Sequence, residues 1–166
     1  MDTNTFAENV QSSYILLLTA CIALVFLLYV IYLTRLNASE CSTMNNLYSS
    51  LDGYIRPIDN QCSYKLFDYC VKTAFNACSG GSLKNDFVNI CNVKAILKQG
   101  VRCLDFEIYS VGEQPVVATS TTNNYHVKET LNYVTFAEVM KTLQNYAFSG
   151  GTCPNPTDPL LIHLRI

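Results

Sequence analysis

The chain has 166 residues, enough for one domain plus an anchor, a formal net charge of −2 and only 14% charged side chains. With so weak a charge balance and no basic patch, a nucleic-acid partner is not expected. Apolar residues make up 49% of the chain, and their excess is concentrated near the N-terminus.

Residues 1–13 read as a short polar tail. Tyr14 to Leu33, YILLLTACIALVFLLYVIYL, then carries no charge for about 20 residues, the length of a helix that crosses a bilayer core. Tyr14, Tyr29 and Tyr32 lie near its ends, where interfacial aromatic belts sit. A signal peptide would want a basic segment before a shorter apolar run, whereas Asp2 and Glu8 precede this one. A buried helix of a soluble protein is the remaining alternative. Arg35 is the basic residue on the C-terminal flank, so the positive-inside rule leans toward an outside N-terminus and a domain on the cytosolic side. Asn37-Ala38-Ser39 has the form of a glycosylation acceptor, but so close to the membrane it reads as a chance match.

Residues 34–64 form the expected linker. Thr34 to Asn46 is Ser/Asn-rich and reads as a stalk, and Leu47 to Tyr64 reads as irregular structure around Asp52-Gly53 and Arg56-Pro57. A single α/β domain is expected over residues 65–166. Its first strand is placed near Tyr69 to Ala74, and Ser79-Gly80-Gly81-Ser82 breaks it. Without GxGxxG or GK[ST] around it, that glycine pair is a turn rather than a phosphate cradle.

Asn85 to Gln99 is predicted as a helix. Asp86 lies in its first turn, Phe87, Ile90, Val93 and Leu97 form an apolar stripe, and Gly100 stops it. Two strands follow. On the first, side-chain alternation puts Asp105 and Glu107 on one face and Leu104, Phe106 and Ile108 on the other. Among apolar flanks, two convergent carboxylates point to a polar cluster at the mouth or interior of an α/β core rather than to a solvated edge strand. The second strand is Pro115 to Ser120.

Thr135 and Glu138 then supply a capping box, Val134 and Val139 a hydrophobic staple, and Phe136, Val139, Met140, Leu143 and Ala147 an apolar face, with Gly150-Gly151 ending the helix. Leu160 to Ile166, LLIHLRI, reads as a last strand with His163 and Arg165 on one face, a basic pair able to meet Asp105 and Glu107. The ordinary alternative for His163 is a satisfied core or surface histidine.

Of eight cysteines, no pair has C-x-x-C spacing, so no metal cluster is expected. Cys91 and Cys103 read as small buried hydrophobes, and pairing among Cys62, Cys70 and Cys78 stays open, a cytosolic domain normally keeping them reduced. The order strand, helix, two strands, helix, strand suits an α/β domain with largely parallel connections. An eight-stranded barrel usually needs more than about 200 residues, so these residues match half a barrel or part of a longer chain.

From Asn85 to Arg165 the sequence resembles the X region of phosphatidylinositol-specific phospholipase C. That family has a helix ending G-C/V-R, strands of the form L-E-x-D and P-V-V-x-H, a helix ending Y-A-F, and a strand ending L-x-E. Their counterparts are Gly100-Val101-Arg102, Leu104-Asp105-Phe106-Glu107, Pro115-Val116-Val117-Ala118-Thr119, Tyr146-Ala147-Phe148 and Leu161 to Arg165, with Thr73-Ala74-Phe75-Asn76 standing for an S-S-H-N strand. The resemblance implies a partial or complete TIM-barrel-like phosphodiesterase fold with its site at the C-terminal ends of the strands. It also implies two proton-transferring histidines and a calcium ion on oxygen ligands.

The departures fall on those groups. Phe75 and Thr119 stand at the two histidine positions, and neither can transfer a proton near neutral pH. Asn76, Asp105 and Glu107 could serve a metal, but Arg165 replaces the remaining carboxylate, so an ion-pair cluster without metal or cofactor is expected. Calcium is expected only if the protein is an active enzyme.

The wording NACSGG, VRCLDFEIYS, PVVATST and CPNPTDPLLIHLR is also similar to phospholipase-C-like proteins of large nucleocytoplasmic DNA viruses. This implies a virion-membrane or minor capsid protein, with the bilayer and capsid proteins as partners. Three functions follow as expectations. The first is a membrane-anchored pseudoenzyme serving as a scaffold, the second a phosphodiesterase using His163 or His126, and the third a lipid head-group binder.

Overall fold

The computed structural model describes residues 3–58, 64–122 and 127–166, with side chains from residue 13 onward. The chain divides into two compact units, Met1–Ser39 and Glu40–Ile166. Helix α1, Thr3–Leu47, makes up the first unit and enters the second. Its segment Ser13–Leu47 has a mean hydropathy of 2.8 in its most apolar window and none of that window is buried, so it is long and apolar enough to cross a membrane. Thr19 and Thr34 donate their hydroxyls to the carbonyls of Leu16 and Ile31, 2.9 Å in each case, which satisfies these polar groups inside the helix itself.

Thr34 to Asn46 is therefore helical, not the irregular stalk its composition suggests. No glycine or proline interrupts the chain before Gly53, so nothing breaks propagation of the helix.

The second unit is mixed α/β. Strands β1 (Thr73–Ala74), β2 (Cys103–Val111), β3 (Gln114–Ala118), β4 (Val134–Thr135) and β5 (Leu161–Arg165) form one sheet, curled as a half-barrel, and helices α2 (Ile90–Lys98) and α3 (Phe136–Tyr146) pack against each other. Strand β2 is central. It pairs in parallel with β1 and β5 and antiparallel with β3, which in turn pairs with β4. Five strands, two of them only two residues long, are what the described residues contribute; a closed eight-stranded barrel is not among them.

Alternation along β2 sorts the two faces. Leu104 and Phe106 are fully buried with Val93 and Leu97 of α2, Val117 of β3, and Val139 and Leu143 of α3. Val134 joins this cluster with Val139, as the staple requires. Tyr109, Val116 and Ala118 form a smaller cluster on the other face.

The turns explain the register. Val111 pairs with Gln114, leaving Gly112 (φ 56°) and Glu113 (φ 63°) as a two-residue hairpin loop with both residues left-handed. Helix α2 closes with Gly100 at φ 69°, its N–H donating to Leu97 O (3.0 Å) and that of Val101 to Ile96 O (3.3 Å). A Cβ at Gly100 would lie 2.7 Å from Ile55 Cγ1, so glycine is needed there twice over.

Three expected boundaries move. Helix α2 begins at Ile90, not Asn85, because Asn132 holds Val88 at both its N–H and its carbonyl (2.8 Å each) and keeps it extended. The first strand keeps only Thr73–Ala74 of Tyr69 to Ala74, with Leu66–Asp68 a 3₁₀ turn before it. Helix α3 ends at Tyr146, ahead of the glycines, while Thr135 caps its start by accepting from Glu138 N–H at 3.3 Å.

Cys91 is not the isolated buried hydrophobe expected; it is disulfide-bonded to Cys41 across 50 residues, tying the end of α1 to α2. Cys62 lies outside the described residues, while Cys70 and Cys78 are free thiols. Breaking this crosslink should remove about 2–4 kcal/mol of stability by freeing the unfolded chain. Cys91→Ser should melt below the wild type, and reductant should bring the wild type down to meet it. A melting temperature indifferent to reductant would contradict the bond.

Candidate functional site

The parallel register of β2 and β5 sets His163 opposite Asp105 and Arg165 opposite Glu107. Strand β1 reaches the same end: after Ala74 the chain turns at Asn76 (φ 47°), whose N–H donates to Asp105 Oδ2 at 3.1 Å. Ala77 N–H donates to Asp105 O at 2.9 Å, continuing the sheet edge past β1. Asn, Asp, Glu, His and Arg thus converge from three parallel strands, just past the end of β1, in the first half of β2 and in the second half of β5.

Arg165 is the hub. Its Nε lies 3.1 and 3.2 Å from the two oxygens of Asp105, and its Nη2 donates to Asp105 Oδ2 (2.9 Å) and to Asn76 Oδ1. Its Nη1 is 3.5 Å from Glu107 Oε2. The Phe75 ring lies 4.5 Å from the guanidinium carbon, so the exposed phenyl covers the cation.

His163 Nδ1 approaches Asp105 Oδ1 at 2.6 Å, its side chain remaining 65% exposed. Burial pushes the Asp105 carboxyl up, but Arg165, His163 and the Asn76 N–H together outweigh it and hold the group below its usual range.

Glu107 is completely buried. Besides Arg165 it accepts from the Tyr109 hydroxyl and, at 3.4 Å, from Ser120 N–H. Burial, then the adjoining carboxylate, raises the Tyr109 phenol well above its ordinary value, which keeps it protonated as a donor. Thr119 is also buried and donates to Leu83 O at 3.0 Å. Beyond it, Glu129 accepts from the N–H (2.7 Å) and hydroxyl of Thr121 and pairs with Lys84 at 3.2 Å. The hydroxyl and N–H of Thr121 hold the Glu129 carboxyl down at about 2.

The structure brings together Asn76, Asp105, Glu107, Arg165, His163 and Phe75; Thr119 lies one residue beyond the strand and faces Leu83 instead. His126 lies outside the described residues. Sequence reasoning missed Tyr109, though it shares the parity of Asp105 and Glu107, and missed Ser120 and Glu129, whose backbone and loop contacts leave no periodic signal.

A calcium ion does not fit this donor set. The oxygens it would need, Asn76 Oδ1, both of Asp105 and one of Glu107, already face the Arg165 guanidinium. As chemistry, the arrangement is an ion-pair network in which Asp105 and Glu107 share the Arg165 guanidinium and the exposed His163 bonds Asp105. No protein-family model matches the chain, and no curated protein matches it.

Arg165→Ala leaves two buried carboxylates without their guanidinium and should destabilise the second unit by about 2–4 kcal/mol, below the roughly 3–5 of a fully buried pair because Arg165 is partly exposed. Since the Asp105 pKa is lowered on folding, its contribution is present above the unfolded value of about 4 and is lost as pH falls through the folded value. The gap in melting temperature between wild type and variant should therefore narrow below about pH 4. A gap constant with pH would assign the loss to packing instead.

Proposed function

We propose that this chain is a membrane-anchored, catalytically degenerate phospholipase-C-like domain that serves as a scaffold, at a virion membrane or as a minor capsid component. One observation carries the reading: the Arg165 guanidinium sits among Asn76, Asp105 and Glu107, where the enzymes that the sequence resembles would hold a metal ion. Phe75 and Thr119 add to it, because proton transfer to and from the substrate typically supplies a factor of about 10²–10⁴ at each step. On this reading the half-barrel sheet is part of a TIM-barrel-like fold, α1 fixes the domain at a bilayer, and exposed surface meets other virion proteins. The Cys41–Cys91 disulfide belongs in an oxidising environment, which weighs against the cytosolic side favoured by Arg35.

The bond between His163 and Asp105 favours a second reading, an active phosphodiesterase in which the exposed imidazole exchanges protons with substrate while Asp105 orients it. Purified full-length protein incubated with phosphatidylinositol or glycerophosphoinositol, with and without calcium, separates the two. The scaffold reading expects no release of inositol phosphates or inositol above a blank. Turnover that disappears in His163→Ala would overturn it.

A further inference from the structure

A cavity of about 440 Å³ opens at the opposite, N-terminal ends of β1, β2 and β5, within the roughly 300–1,000 Å³ of small-molecule sites. Lys72, Arg102 and Leu161, which stand at or just before the starts of these strands, line it, and residues 54–58 and 64–71 contribute the facing wall. About three residues of β2, some 10 Å of strand, separate Arg102 from Asp105, the nearest member of the Arg165 cluster on this strand.

Its wall is two-natured. Ile58, Leu66, Val71 and Leu161 offer an apolar surface, of which Leu66 is 63% and Leu161 36% exposed. The charges are unbalanced: Arg56, Lys72 and Arg102 line the cavity with Asp158, and counting Asp52, the partner of Lys72, three cations face two carboxylates. Asp158 is occupied elsewhere, accepting from Ile58 N–H (2.7 Å) and Asn155 Nδ2 (2.9 Å), and Lys72 pairs with Asp52 at 3.1 Å.

Arg102 is 4% exposed. Its two terminal nitrogens donate to the carbonyls of Ala147 and Asn155, its Nε has no partner, and among the described residues no carboxylate pairs with it. A guanidinium buried on neutral acceptors leaves uncompensated positive potential in a low-dielectric wall. Apolar lining beside that potential selects a molecule with a tail and an anionic head.

We propose that this cavity binds a single-chain anionic amphiphile, its tail against Ile58, Leu66, Val71 and Leu161 and its head beside Arg56 and Lys72, in the field of Arg102. The site is independent of the Arg165 cluster and of the scaffold reading.

Cys70, an exposed free thiol on the cavity wall, reports occupancy. With the full chain in phosphatidylcholine nanodiscs, maleimide labelling of Cys70 is followed by peptide mass spectrometry as dodecanoate, dodecyl phosphate, dodecyltrimethylammonium or inorganic phosphate is added. Both anionic amphiphiles should slow labelling, at concentrations at least about tenfold below the cationic one, and the more effective of the two identifies the head as carboxylate or phosphate. Arg56→Gln with Lys72→Gln, both on the surface and harmless to the core, should raise the half-protecting concentration about tenfold. Equal protection by cationic and anionic heads, protection by inorganic phosphate alone, or protection unchanged in the double variant would overturn the proposal.

Discussion

The contact on which this fold depends is the grip of Asp105 on Arg165. A curled sheet with helices on its outer face must place every second residue of its central strand inward, and on β2 those residues are Asp105, Glu107 and Tyr109. Two carboxylates there, one wholly buried, would be too costly to keep ionised without a cation. Arg165 supplies it from the neighbouring parallel strand, and the planar guanidinium reaches Asp105 with two nitrogens, Glu107 with a third, and Asn76 besides. The remaining features follow. The left-handed turn at Asn76 brings its N–H to Asp105, the phenyl of Phe75 lies over the guanidinium, and the register of β5 is the one that places His163 and Arg165 opposite the two acids.

The same network sets what the site can hold. An arginine stays charged at any pH the protein meets, and its guanidinium faces the oxygens a metal would need. Phe75 presents a phenyl ring and Thr119 a hydroxyl turned toward Leu83, while the exposed imidazole of the cluster is that of His163, held on Asp105. The pocket at the other end of the strands contrasts with it. There the cations outnumber the acids, whereas around Arg165 charge and countercharge meet within hydrogen-bond reach.

What could be read in the sequence follows from periodicity. The two-residue alternation of LDFEI and IHLRI placed Asp105, Glu107, His163 and Arg165 on facing surfaces, and the Thr135 to Glu138 spacing located the start of α3. What escaped depends on contacts remote in sequence. The grip of Asn132 on Val88 delays α2 by five residues relative to the apolar stripe, and the partner of Cys91 lies 50 residues away. Composition misled at Thr34 to Asn46, where Ser and Asn suggested a stalk although no residue there breaks a helix. Tyr109 was within reach of the alternation argument but lacked a charge to draw notice.

Tyr109 also provides the most direct probe, because its ring stands beside Glu107 and would sensitise a lanthanide bound among these oxygens. Titrating the purified protein with terbium and exciting tyrosine should give no saturable emission at micromolar ion, the guanidinium already filling the place. Saturable emission that disappears in Asp105→Asn would mean that a cation displaces Arg165, and the guanidinium could no longer be the permanent occupant of the site.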